Sequence, residues 1–82
     1  MAKKNNSAGS FFSEISLVDA AAEFAWVKGQ VTHAWVGRST TQDRVAIIEQ
    51  GPRAYAVVRN RDYLARCPTY KHAAAFASRL SA

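Results

Sequence analysis

The chain has 82 residues, which is enough for one domain with a single hydrophobic core. Its only cysteine, Cys67, excludes an internal disulfide framework, and no apolar run reaches the roughly 18 residues that a membrane-spanning helix needs. The net charge is +5, and residues 31–82 carry the whole excess, because the charges of residues 1–30 cancel. Such a basic field attracts polyanions and argues against imitation of DNA, which requires carboxylates. The first residues lack the apolar core of a secretion signal, so we expect a cytoplasmic protein.

The N-terminal part of the sequence predicts a tail followed by a helix. Residues 1–10 are small and polar, which is typical of a flexible tail, and we expect residues 11–82 to form a single domain. Ser16 has the chemistry of an N-cap, and apolar residues then recur at helical spacing as far as Val27. With Gly29 as the terminating residue, the pattern predicts a helix over residues 17–28. Phe11 and Phe12 either fold back onto this helix or form a short strand.

The middle of the chain contains three strand-like runs, at residues 31–36, 44–49 and 54–59, and a shorter fourth run at residues 63–67. A polar loop (residues 37–42), Gly51-Pro52 and a turn at residues 60–62 separate them. Because these connections are short, neighbouring strands are expected to be antiparallel. Thr69 then caps an alanine-rich helix over residues 70–81. The predicted fold is α+β: an N-terminal helix, a three- to four-stranded antiparallel meander and a C-terminal helix.

The predicted strands have two apolar faces. If Gly51-Pro52 is the tip of its turn, Ile48 lies opposite Tyr55, and the residues divide as follows. One face carries His33, Trp35, Ala46, Ile48, Tyr55 and Val57, with Arg44 and Arg59 at its margin; the other carries Ala34, Val36, Val45, Ile47, Ala54, Ala56 and Val58. The helices cover either one face each or one face together, and the second arrangement leaves a face for a partner or a second copy. Trp35 and Tyr55 are accordingly either core residues or a platform for stacking bases.

The residues that carry out catalysis or bind metals do not form a recognisable pattern. The six acids are scattered over different predicted elements, and His33, Cys67 and His72 lack the spacing of a zinc site. The four glycines form no phosphate-binding loop. We therefore expect no catalytic activity, no metal and no cofactor.

Two resemblances bear on function. The stretch from residue 54 to 77 reads strand, turn, strand, helix, and the whole order resembles the helix, three strands and helix of double-stranded-RNA-binding domains. That resemblance implies phosphate contacts at the start of the last helix, where Lys71 matches the family's lysine cluster and Thr69, Tyr70 and His72 surround it. By its size, single domain and lack of catalytic residues, the chain also resembles phage-encoded inhibitors of the anti-CRISPR type. These inhibitors are small domains that block a nucleic-acid-handling complex by occupying it.

The sequence therefore predicts a non-catalytic binding protein that inhibits a nucleic-acid-handling protein complex, such as a CRISPR effector, by excluding its DNA. The alternatives are a small basic protein that binds DNA or RNA directly, and a dimeric structural or interaction subunit. Interface hot spots favour arginine and aromatic residues. The candidate contacts are Arg38, Arg44, Arg53, Arg59, Arg61, Arg66, Trp35 and Tyr55. Arg59, Arg61 and Arg66 cluster around one turn, and that edge is the strongest candidate surface.

Overall fold

The structure, a computed structural model, describes residues 12–38 and 42–81. Its elements in chain order are β1 (Ser13–Glu14), α1 (Leu17–Glu23), β2 (His33–Arg38), β3 (Arg44–Gly51), β4 (Ala54–Arg59), β5 (Asp62–Cys67) and α2 (Tyr70–Ser81). The predicted α+β class, with a helix near each end and an antiparallel sheet between them, is confirmed. The predicted strand number of three to four is wrong, because the described residues form a sheet of five strands. The predicted tail at residues 1–10 lies outside the described residues.

The five strands form an antiparallel meander in the order β1-β2-β3-β4-β5. The additional strand, β1, pairs Ser13 with Val36 and Glu14 with Trp35. A strand of two residues is too short to show the alternation by which strands are recognised in a sequence. Strand β2 is displaced by two residues from its predicted range, so Gly37 and Arg38 belong to the sheet rather than to the predicted loop.

Helix α1 begins as predicted but ends early. The Ser16 hydroxyl accepts a hydrogen bond from the Asp19 amide at 3.1 Å, which caps the first turn. The helix ends at Glu23, not at residue 28, and the Val27 amide donates to the Phe24 carbonyl at 3.0 Å in a tight turn. Phe24 and Val27 are both buried. The apolar periodicity of the sequence thus extends beyond the helix. A turn with hydrogen bonds between residues three apart has about three residues per turn, which is close to the helical repeat.

Helix α2 agrees with its prediction. The Thr69 hydroxyl accepts a hydrogen bond from the His72 amide at 3.1 Å, and the helix runs over Tyr70–Ser81. Ala73 and Ala77 are completely buried between this helix and the sheet. Small side chains at this spacing allow close packing of a helix on a strand surface.

The predicted register between β3 and β4 is wrong by one residue. Gly51 pairs with Ala54, so Pro52 and Arg53 form the tip of the hairpin, and an irregularity between Glu49 and Gly51 shifts the ladder. Ile48 consequently lies opposite Ala56, and not opposite Tyr55. Because side chains alternate along a strand, this shift exchanges the two faces of β3 relative to β4.

The two helices cover opposite faces of the sheet. On the α1 face, Ala20, Phe24 and Val27 pack against a first set of sheet residues: Ala34, Ala46, Ile48, Ala56 and Val58. On the α2 face, Ala73, Ala74 and Ala77 pack with Phe12 against a second set: Val45, Ile47 and Val57. Of the two arrangements left open by the sequence, the structure has one helix on each face, which explains why both faces are apolar.

Candidate functional site

Two of the predicted contact arginines lie together but are not equally available. Arg38 and Arg44 are cross-strand neighbours on β2 and β3. Arg44 forms a bidentate ion pair with Glu23: its Nη2 donates to Glu23 Oε1 at 2.8 Å and its Nε donates to Oε2. The hydrogen bond and charge of Arg44 lower the pKa of Glu23, and the same contacts raise the pKa of Arg44. Arg44 is therefore largely neutralised by α1, whereas Arg38 is exposed and donates to the Gln42 carbonyl at 2.9 Å.

The other four arginines point in several directions. Arg53 is exposed at the tip of the β3–β4 hairpin with a positive φ of 60°. Arg59 shares the α2 face of the sheet with its cross-strand partner Asp62. Arg61 lies in the β4–β5 turn with its guanidinium carbon 5.7 Å from the ring centroid of Trp26. Arg66, on β5, is opposite Ala56 and faces the α1 side. The predicted arginines therefore do not form one surface, but Arg61 and Arg66 share the β5 edge.

A groove on the α1 side brings Arg66 together with residues that sequence reasoning missed. It encloses about 350 Å³ between the segment that follows α1 and the edge strand β5, and we call it the basic groove. Its lining residues are Lys28, Gly29, Gln30, Gln50, Tyr63 and Arg66. Two of the six are cationic and none is acidic. The groove thus presents positive charge on both of its walls, next to an aromatic ring.

Hydrogen bonds hold the Lys28 wall of the basic groove in place. The side-chain amide of Gln50 donates to the backbone carbonyl of Lys28 at 2.8 Å, and the side-chain amide of Gln30 donates to the backbone carbonyl of Gln50 at 3.2 Å. Gly29 has a φ of +107°, and a β-carbon at this position would lie 3.0 Å from Gln50 Nε2. Only glycine fits this backbone and this approach without strain. The wall is therefore part of the fold rather than an independent loop.

A β-bulge positions the other wall. The ladder between β4 and β5 pairs Ala56 with Arg66 but Val58 with Tyr63, with one extra residue on β5 between these pairs. In a regular strand, residues three apart point to opposite faces. Here Tyr63 and Arg66 both face the α1 side, since their partners Val58 and Ala56 belong to the core on that side. Tyr63 is 48% exposed, so its ring remains accessible.

The predicted aromatic contacts, Trp35 and Tyr55, lie on the other side of the sheet. Both are half-buried beneath α2, where they pack against Tyr70 with ring centroids 4.8 and 6.4 Å away. Of the two roles left open by the sequence, this position fits a role in the core. The accessible aromatic ring beside the arginines is that of Tyr63.

Near Trp35, a polar network surrounds Glu49. The carboxylate accepts hydrogen bonds from the hydroxyls of Thr32 and Tyr55, each at 2.8 Å, and lies 2.6 Å from His33 Nδ1. Hydrogen bonds from Thr32, His33 and Tyr55, in that order of effect, lower the pKa of Glu49, and the bond to Glu49 raises the pKa of Tyr55. His33 Nε2 is 3.8 Å from a Glu14 carboxylate oxygen. The network ties together the chain from β1 to β4, a role that no local sequence signal indicates.

A larger cleft of about 450 Å³ lies beside this network, lined by Glu14, Ile15, Ser16, Leu17, Thr32 and His33. The Ser16 hydroxyl is engaged in capping α1, and the Thr32 hydroxyl donates to Glu49. Neither hydroxyl hydrogen-bonds to a histidine that could activate it among the contacts of the described chain. Among the described residues, the cleft thus shows no hydrogen-bonded pair of hydroxyl and histidine of the kind that covalent catalysis uses.

In residues 12–38 and 42–81, no three side chains of the metal-binding types come close enough to hold an ion. Cys67 is half-buried and carries a free thiol. The described helices include none that is both long and apolar enough to cross a bilayer. Comparisons with models of protein families, with curated proteins and with solved structures gave no match for this chain.

Proposed function

We propose that this protein is a non-catalytic binding module that docks through its basic groove on a polyanionic surface of a nucleic-acid-handling complex. On this proposal it inhibits the complex by occupancy, in the manner of anti-CRISPR inhibitors. The observation that carries the proposal is the placement of Lys28 and Arg66 on opposite walls of one groove, with no acidic residue in its lining. Neither cation forms an ion pair with another described residue, so both are available to a partner.

The surroundings of the groove strengthen this charge. Arg61 adds a third cation in the turn before β5, with its guanidinium over the ring of Trp26. Glu23, the acid at the end of α1, is paired with Arg44. Asp62 belongs to the opposite face of the sheet, because it pairs with Arg59. Positive charge that is concentrated in this way increases the rate of encounter with polyanions and makes their binding salt-dependent.

A charge-reversal experiment with a matched control tests the proposal. The double variant Lys28→Glu/Arg66→Glu alters the groove, and Lys71→Glu/Arg79→Glu alters exposed positions on α2. Both double variants have a net charge of +1 instead of +5. The measurement is the fluorescence anisotropy of a labelled linear polyphosphate at several salt concentrations, after circular dichroism has shown that each variant is folded.

The groove variant is expected to bind the polyphosphate at least about tenfold more weakly than the control variant, since two contacts to phosphates become repulsive. Equal losses in the two variants would show that net charge, rather than the groove, governs binding, and would refute the proposal. Absence of polyphosphate binding by the unaltered protein at low salt would refute it as well.

Self-association is a second candidate function, supported by the outer face of α1. Leu17 is 56% exposed and Val18 is 80% exposed, and Ala21 and Ala22 continue this apolar surface. Exposed apolar side chains that lie next to one another on a helix are a common feature of interfaces. Light scattering on the unaltered protein and on Val18→Glu tests this candidate: a dimer that the substitution dissociates supports it, and a monomer in both cases excludes it.

A further inference from the structure

We infer that the basic groove binds single-stranded nucleic acid, with a base stacked on Tyr63 and phosphates held by Lys28 and Arg66. The inference rests on the proposed function and names the polyanion that the groove accepts. It begins from the alternation of charge and ring on the α1 side of the sheet: Arg61 in the turn before β5, over the ring of Trp26, then Tyr63 and Arg66 on β5. Cationic side chains alternating with an accessible aromatic ring are the features that non-specific single-strand binders share.

The length of this row matches a short oligonucleotide. Arg66 lies five positions after Arg61, and the bulge takes up one of these steps, so the row advances by about four residues, or about 13 Å at about 3.3 Å per residue. Stacked nucleotides in one strand rise by about 3.4 Å each, so the row spans about four of them. That number lies at the lower end of the site sizes found for small single-strand-binding folds.

The exposed ring favours a single strand over a duplex. Tyr63 is 48% exposed and stands on an edge strand beside the groove. A base in a duplex is stacked on both sides and cannot place its face on a protein ring, whereas an unpaired base can. The ring also favours nucleic acid over an acidic polypeptide, because a chain of carboxylates uses the two cations but has no planar group for Tyr63.

The bulge in β5 supports a ligand bound by side chains rather than one that adds a strand to the sheet. An edge strand can recruit another chain by backbone pairing, and bulges and charged residues are the devices that prevent it. Strand β5 has both: the extra residue near Leu64, and the charged side chains of Asp62 and Arg66. The same bulge places Tyr63 and Arg66 on one face. It therefore blocks strand addition and forms one wall of the groove at the same time.

The test compares ligands that differ only in their bases. Fluorescence anisotropy is measured with the full chain and a labelled oligothymidylate, an abasic oligonucleotide of the same length, a duplex of that length and a linear polyphosphate. The variant Tyr63→Thr removes the ring but keeps a residue that favours strands, and Tyr63→Phe keeps the ring. Lys28→Glu/Arg66→Glu removes the phosphate contacts.

The unaltered protein is expected to bind the oligothymidylate about tenfold more tightly than the abasic strand and the duplex. Tyr63→Thr lowers the affinity for the oligothymidylate to that for the abasic strand and leaves polyphosphate binding unchanged. Tyr63→Phe keeps the oligothymidylate affinity of the unaltered protein. The charge-reversal variant weakens both single strands and reduces the salt slope for them by about 1.4, the value for two phosphate contacts.

Equal affinity for the oligothymidylate and the abasic strand, equal affinity for the duplex, or an unchanged affinity in Tyr63→Thr each overturns the inference. If polyphosphate binding still depends on Lys28 and Arg66 in that case, the proposed function stands and only the identity of the ligand is wrong. If no probe binds, both are refuted.

Discussion

Replacing Ile47 and Ile48 with alanine, one at a time, tests the placement of the helices on opposite faces of the sheet. The two side chains are neighbours on β3 and point in opposite directions, yet each is 0% exposed. Truncating a buried isoleucine to alanine leaves a cavity and destabilises a protein by about 2–5 kcal/mol. With both helices on one face, one of the two isoleucines would be exposed in a monomer, and its truncation would change the free energy of unfolding by less than about 0.5 kcal/mol.

The effect is large relative to the stability of so small a domain. At about 0.05–0.15 kcal/mol per residue, the free energy of unfolding of this 82-residue chain is about 4–12 kcal/mol. Each kcal/mol lost lowers Tm by about 4–8 °C. Urea denaturation followed by circular dichroism measures the loss, and Val18→Ala, at a position that is 80% exposed, serves as the control. Both isoleucine variants are expected to be much less stable than the control. A variant of either isoleucine that matches the control would refute the arrangement of the helices.

Three further predictions concern the polar contacts. The pKa of Glu49 in the folded protein lies below its ordinary value of 4.5. The ionised carboxylate therefore stabilises the fold fully above pH 4.5, and this stabilisation is lost as the pH falls through the folded pKa. Urea denaturation between pH 7 and 3 should show the loss of stability, and Glu49→Gln should make that loss smaller. A double-mutant cycle on Glu23 and Arg44 should give a coupling of about 0.5–1 kcal/mol, because solvent screens this half-exposed pair. Gly29→Ala should destabilise the fold by about 1–2 kcal/mol through its positive φ and the contact with Gln50, and should weaken polyphosphate binding by the groove.

Each of these predictions has a result that contradicts it. The role of Glu49 is wrong if the acid-induced loss of stability is the same in Glu49→Gln as in the unaltered protein. A coupling of zero would show that the contact between Glu23 and Arg44 adds no stability. Gly29→Ala with unchanged stability and unchanged affinity for polyphosphate would show that the wall tolerates a side chain.

The parts of the fold that were predicted well are those with local causes. The caps at Ser16 and Thr69 satisfy amide groups within the next three residues, so the signal and its effect lie in the same few positions. Strand β4 occupies its predicted range because Gly51-Pro52 and the turn at Asn60 bound it on both sides. A short strand at Phe11 and Phe12 is one of the two alternatives that the sequence leaves open, and the structure has β1 at Ser13–Glu14. Its position follows from pairing with the distant strand β2, which no local signal indicates.

The candidate site was predicted only in part. The sequence groups Arg59, Arg61 and Arg66 around one turn; in the structure Arg66 faces the α1 side of the sheet, whereas Arg59 faces the other side. Lys28 and Tyr63 were missed, since 35 positions separate them and only the path of the chain after α1 brings them to one groove. The sequence feature that indicates this wall of the groove is the aromatic residue between two arginines in the run Arg61-Asp62-Tyr63-Leu64-Ala65-Arg66.

By itself, the sequence determined the charge of the protein, the positions of α2 and β4, and the presence of enough apolar residues to cover a sheet on both faces. The tertiary structure decided which side chains share a face. The reason is that a shift of one residue in the β3–β4 hairpin, or one extra residue in β5, turns every later side chain to the other side of the sheet. Such a shift is selected by the packing of α1 and α2 against the sheet, which no short stretch of sequence contains.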